Sequence, residues 1–156
     1  MGKVNERVFL DAGVFIGAFL SGDPRHAESR PIVESVRNGR LPGCTSAGVL
    51  SEVFAGLTWH KACPQREPDE AAHAVWLLVE PPSDLMIIDC GRDAVERMLD
   101  LATAHGLRAR DVHDARHAAA ALAAGIRKVL TYDVKHWGQF ASDGLVVAGP
   151  PSVISP

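Results

Sequence analysis

Cysteine is scarce: Cys44, Cys63 and Cys90 are the only three in 156 residues. None belongs to a C-x-x-C pair, and the count is odd, so neither a zinc ribbon nor a disulfide framework is indicated. Reduced thiols in a cytosol are the simpler reading. Long apolar runs are missing too, and none approaches the ~20 residues that a membrane span needs. The stretch Met1–Arg7 has no apolar signal region behind it. Glu6 stands where N-myristoylation requires Ser or Thr. The expectation is a cytoplasmic protein with no membrane segment. Positive charge is not in excess, and a formal net charge of -3 argues against gripping nucleic acid by bulk charge. A nucleic-acid enzyme with a local basic patch stays open. No G-x-G-x-x-G follows the first apolar run, which weakens a dinucleotide-binding reading. There is no internal repeat or linker.

What is present is ample apolar residue, 47% of the chain, enough for one domain with a real core. Short apolar runs at Val8–Leu10, Leu41–Thr45, Leu85–Ile88, Lys128–Thr131 and Leu145–Ala148 predict strands. Between them lie helical patterns. The first covers Ala12–Leu20. The second runs from Asp23 (N-cap) and Pro24 to about Asn38. Further helices are predicted from a Thr45 or Ser46 cap to Trp59, and over Asp69–Glu80, Asp93–His105 and Asp111–Ala124. Gly106 and Gly125 close the last two. Strands alternating with helices imply an α/β layer structure around a short, mainly parallel sheet. A single domain is expected over 1–150, with a loose Pro-rich tail at 151–156. Ala118–Ala124, broken only by Leu122, predicts close helix packing in the core.

Four acidic residues carry the chemistry. Asp11 ends one apolar run, and Asp133 follows another. Glu52 sits within the apolar helical stretch Val49–Phe54, and Asp114 in the first turn of the alanine-rich helix. Each alone has an ordinary structural explanation: a cap, a turn or a solvated helix position. Carboxylates beside buried segments are costly unless something compensates their charge. In a parallel sheet, ligands bind beyond the carboxyl ends of the strands, where Asp11 and Asp133 lie. Together the four point to a site for a hard divalent cation, Mg²⁺ or Mn²⁺. Six basic residues between His105 and Trp137 (Arg108, Arg110, Arg116, Arg127, Lys128, Lys135) predict positive charge around it, suited to a phosphodiester backbone.

In this order and spacing, Phe9-Leu10-Asp11, Ser51-Glu52-Val53, Asp114-Ala115-Arg116-His117-Ala118-Ala119 and Thr131-Tyr132-Asp133 resemble the motifs of the PIN domain. The likeness runs from about Val8 to Trp137, and the short form resembles the VapC toxins of bacterial toxin–antitoxin pairs. The resemblance implies a three-layer α/β/α sandwich and a Mg²⁺- or Mn²⁺-dependent ribonuclease. It implies a homodimer, a cognate antitoxin and RNA as substrate. It places catalysis and metal binding on Asp11, Glu52, Asp114 and Asp133, with Thr131 as the hydroxyl residue two before the last acid. The chain departs from the pattern at Gly13, where Asn or Ser is frequent. It departs again at His136-Trp137, where Asp and Phe often stand. Asp111 is a candidate outer acid.

Two rivals remain at this level. His113 and His117, four apart on one helix with Asp114 between them, resemble a zinc-hydrolase pair. A non-catalytic PIN-like module that binds RNA or protein is the other. Trp59, Trp76 and Trp137 are expected in the core or an interface rather than as stacking platforms for bases.

Overall fold

The computed structural model describes residues 6–154. The expectations for residues 1–5, and for the last two of the tail, lie outside the described residues. Five parallel strands form one sheet in the order β3-β2-β1-β4-β5: β1 Val8–Leu10, β2 Gly43–Ser46, β3 Met86–Ile88, β4 Lys128–Leu130 and β5 Val146–Ala148. Phe9, Leu10 and Val129 have no exposed surface, as strands covered on both faces require. Full burial of each such side chain is worth about 1.5–3 kcal/mol.

The strand order sorts the helices into layers. Chain progress from β1 to β2 to β3 runs one way across the sheet, and from β3 to β4 to β5 it runs back. Right-handed crossovers then put α1 (Ala12–Phe19), α2 (His26–Arg37), α3 (Ala47–Thr58) and α4 (Pro68–Val79) on one face. They put α5 (Arg92–Ala104) and α6 (Val112–Ala123) on the other. Contacts agree: α1 packs on α2 and α3, α3 on α4, and α5 on α6. The fold is the expected α/β/α sandwich. Ala115 and Ala118–Ala121 of α6 are all buried, so the alanine run serves core packing. Gly106 and Gly125, at φ +62° and +79°, reverse the chain after α5 and α6 in a conformation that costs other residues a β-carbon clash.

Some boundaries differ from expectation. The second helix starts at His26, with Arg25 as N-cap. The Asp23 carboxylate instead accepts the Arg25 backbone N–H (2.8 Å) and its side chain, holding 23–25 in a turn. β2 begins at Gly43 rather than Leu41. A β-carbon there would stand 2.6 Å from Val36 Cγ1, so only glycine passes beneath α2 at that point. Trp137 is 3% exposed, but Trp59 and Trp76 are more than half exposed and so lie outside the core.

After β4 come α7 (Val134–Trp137) and a 3₁₀ turn at Gly138–Asp143. The Pro-rich end carries a short helix, α8 (Pro151–Ile154). Its Ser152 donates through backbone N–H (2.8 Å) and hydroxyl (2.6 Å) to Glu28 of α2.

Candidate active site

Asp11, Glu52, Asp114 and Asp133 line one cavity of about 360 Å³, together with Gly13, Arg25, His117, Tyr132 and Trp137. It opens beyond the carboxyl ends of β1 and β4, neighbouring strands whose outgoing connections diverge to opposite faces. Such a divergence leaves a crevice at the sheet edge.

Asp11 is held most firmly. As N-cap of α1, its Oδ1 accepts the Ala12 N–H at 2.8 Å. Its Oδ2 accepts the Thr131 hydroxyl (2.8 Å) and the Trp137 indole N–H (2.9 Å). Thr131 is fully buried, and its Oγ1 also accepts the Asp133 N–H at 2.9 Å. One hydroxyl therefore ties the acid after β1 to the acid after β4. That is the physical reason for a small hydroxyl residue two before Asp133.

Asp114 comes from the first turn of α6. Burial pushes its carboxyl above the usual range; the His136 charge opposes this, and the charges of Asp133, Asp11 and Asp111 add to it. Asp133, Asp11 and Asp111 thus each bear on Asp114 by like charge. Glu52 is the fourth acid of the cavity. It reaches the cavity from α3, and its Oε1 lies 2.7 Å from Nε2 of the buried His117.

Arg25 and Tyr132, outside the predicted set, also line the cavity, and His136 stands against Asp133. His136 Nδ1 lies 2.7 Å from Asp133 Oδ1, and this bond with the carboxylate charge raises the imidazole pKa. Position 136, where the family pattern often has an acid, thus carries a partner for one. Arg25 and Tyr132 form a second wall. Tyr132 is flanked by Glu28, to which its hydroxyl donates at 2.8 Å; burial and then Glu28 push its phenol up to about 12. Arg25 has no sequence signal that links it to the acids, being 14 residues past Asp11 in a turn. None of the six basic residues expected around the site lines the cavity; Arg116 instead packs its guanidinium over Gly48.

Of the two histidines of the zinc rival, His117 lines the cavity bonded to Glu52, whereas His113 is exposed and does not line it. Among the described residues no three acids, histidines or cysteines are close enough together to hold a metal ion as they stand. The cavity nonetheless offers carboxylate oxygen from four segments, and the charges of Asp133 and Asp11 act on Asp114. That suits a hard cation that keeps several of its own waters, as Mg²⁺ does.

The PIN domain family model matches residues 8–139. VapC20 of Mycobacterium tuberculosis, a Sarcin-Ricin loop cleaving toxin, superposes with a TM-score of 0.64 at 20% identity, covering 89% of this chain and 96% of that one. VapBC2 from Rickettsia felis, bound to a promoter DNA fragment, gives 0.63 at 17% identity over 92% and 98%. DNA-bound VapBC from Salmonella typhimurium gives 0.62 at 18% over 92% and 97%. At these identities the likeness is one of fold. No curated protein matches the chain in sequence.

Proposed function

The chain belongs to the PIN domain family, and from that premise we propose that it is a divalent-metal-dependent endoribonuclease, the toxin of a toxin–antitoxin pair. The observation that carries the proposal is the meeting of Asp11, Glu52, Asp114 and Asp133 in one cavity at the sheet edge. Asp11, Asp114 and Asp133 would hold the ion, Mg²⁺ or Mn²⁺. Bound there, it supplies Lewis-acid polarisation of the phosphate and a lowered pKa for water.

The chain's own residues do the rest. Thr131 and Trp137 fix the Asp11 carboxylate in one orientation. His117 fixes Glu52 at the cavity wall, where Glu52 orients the water that attacks phosphorus. Attack in line with the leaving 3′-oxygen breaks the P–O3′ bond, leaving a 5′-phosphate on one fragment and a 3′-hydroxyl on the other. The solved structures named VapBC support a protein antitoxin as partner, and a homodimer is proposed as the free toxin's state.

The test is incubation of the protein and of Asp114→Asn with total bacterial RNA, with Mg²⁺ or with EDTA. Cleavage confined to the unmodified protein with Mg²⁺, and products carrying 5′-phosphates, is the expected result. Products ending in 2′,3′-cyclic phosphate would overturn the scheme, because they require attack by the RNA's own 2′-hydroxyl. One observation favours a second reading, a non-catalytic binding module. His136 already engages Asp133, so a cation must compete for that carboxylate. Metal binding without cleavage of any RNA would establish it.

A further inference from the structure

Gly13 is read from the sequence as a loss, since a polar residue is frequent there. The structure gives the space another use. A β-carbon at position 13 would stand 2.8 Å from Arg25 Nη1 and 3.8 Å from Tyr132 Cδ2. The guanidinium of Arg25 therefore occupies the volume that a side chain at 13 would take, against the first turn of α1 and beside the acids.

Arg25 is also held in place. Its Nε and Nη2 bond the two oxygens of Asp23 at 2.9 and 2.8 Å, a two-pronged pairing along one edge of the guanidinium. Its carbon lies 5.4 Å from the centroid of the Tyr132 ring, within cation–π range. These contacts use Nε, Nη2 and one face. Nη1, the corner nearest Gly13, remains for another acceptor. A planar guanidinium anchored on one edge presents its other N–H groups in fixed directions, a geometry suited to phosphate oxygens. Its ion-pair partner is Asp23 on its own turn, and no hydrogen bond links it to Asp11, Glu52, Asp114 or Asp133 among the described residues.

We propose that Arg25 is the phosphate-contacting residue of this site, donating from Nη1 to a non-bridging oxygen of the RNA backbone, and that Gly13 is what admits it. This rests on the ribonuclease reading above. It assigns the cavity's positive charge to the α1–α2 turn, not to the basic residues around α6.

The experiment uses full-length proteins carrying Asp114→Asn, which blocks turnover and removes one negative charge from the cavity. Binding of a short fluorescein-labelled single-stranded RNA of mixed sequence is followed by anisotropy over a range of salt. Arg25→Ala should weaken binding about tenfold, the loss of one charge-assisted hydrogen bond. It should reduce the slope of log K against log salt by about 0.7, one phosphate contact on a single strand. Arg25→Lys should restore the slope but only part of the affinity. Gly13→Ser, whose side chain would take the space of the Arg25 guanidinium, should weaken binding in the Arg25 protein and change nothing in the Arg25→Ala protein.

Calorimetry with Mn²⁺ is run in parallel on the proteins with Asp114 intact, and Arg25→Ala should bind Mn²⁺ as the parent does. An unchanged salt slope in Arg25→Ala, with Mn²⁺ binding intact, would overturn the role of Arg25 and leave the ribonuclease reading standing. Loss of Mn²⁺ binding together with a lowered melting temperature would overturn it in favour of a purely structural Arg25. Failure of the parent to bind the RNA at all would overturn both.

Discussion

The Trp137 indole N–H donates to Asp11 Oδ2 at 2.9 Å, joining two residues that are 126 positions apart in the chain. The same oxygen takes the Thr131 hydroxyl, so Asp11 has one carboxylate oxygen saturated and its plane set. Trp137→Phe keeps an aromatic ring against Phe9 and removes the donor. Losing one hydrogen bond to a charged, partly buried group should cost about 1–2 kcal/mol of stability. Urea unfolding should show the loss, and Mn²⁺ titration should show weaker binding because the carboxylate is free to turn.

Tyr132 is the single tyrosine of the chain, so its ionisation is directly visible in the ultraviolet. The phenol should titrate at about 12 in the folded protein rather than at its ordinary 10.0. The folded value lies above the unfolded one. Tyr132 therefore contributes stability that is fully present below pH 10.0 and is lost as pH rises from there through about 12. Glu28→Gln removes the neighbouring charge and should bring the midpoint down. A midpoint that stays put would show that burial alone sets it.

His117 offers a separation of roles. Its partner Glu52 reaches the cavity from α3, a different helix from the one that carries Asp114. His117→Ala should therefore lower RNA cleavage by tenfold or more, a positioning effect, while Mn²⁺ affinity changes little. The double variant His113→Ala/His117→Ala should likewise keep Mn²⁺ binding. Loss of metal binding in that protein would revive the zinc reading.

Ala109 has φ +52° in the 3₁₀ turn (Ala109–Asp111) that leads into α6. A left-handed conformation costs an L-residue roughly 1–2 kcal/mol, partly offset by the greater unfolded freedom of glycine. Ala109→Gly should raise stability by about 0.5–1 kcal/mol, seen as a higher urea midpoint with an unchanged slope.

The sheet was legible because burial on both faces leaves a plain mark. Val8–Leu10 and Val129–Leu130 are short apolar runs, and an acid follows each at the edge where ligands collect. Helix ends at Gly106 and Gly125 were legible because their conformations exclude other residues. The start of α2 was not. Asp-Pro is a common helix opening, but here the Asp23 carboxylate is claimed by Arg25, a competition that local pattern does not register. The positive side of the cavity was missed for a related reason. Nearness to Asp114 along the chain points to the basic residues around α6, whereas the fold turns those side chains elsewhere and brings Arg25 across from the other face's first connection.

One carboxylate, Glu28, takes both the Tyr132 hydroxyl in the cavity wall and Ser152 in the last helix. The short helix α8 is therefore mechanically coupled to the cavity wall. Any pull on Ser152 would reach Tyr132 and the guanidinium stacked upon it.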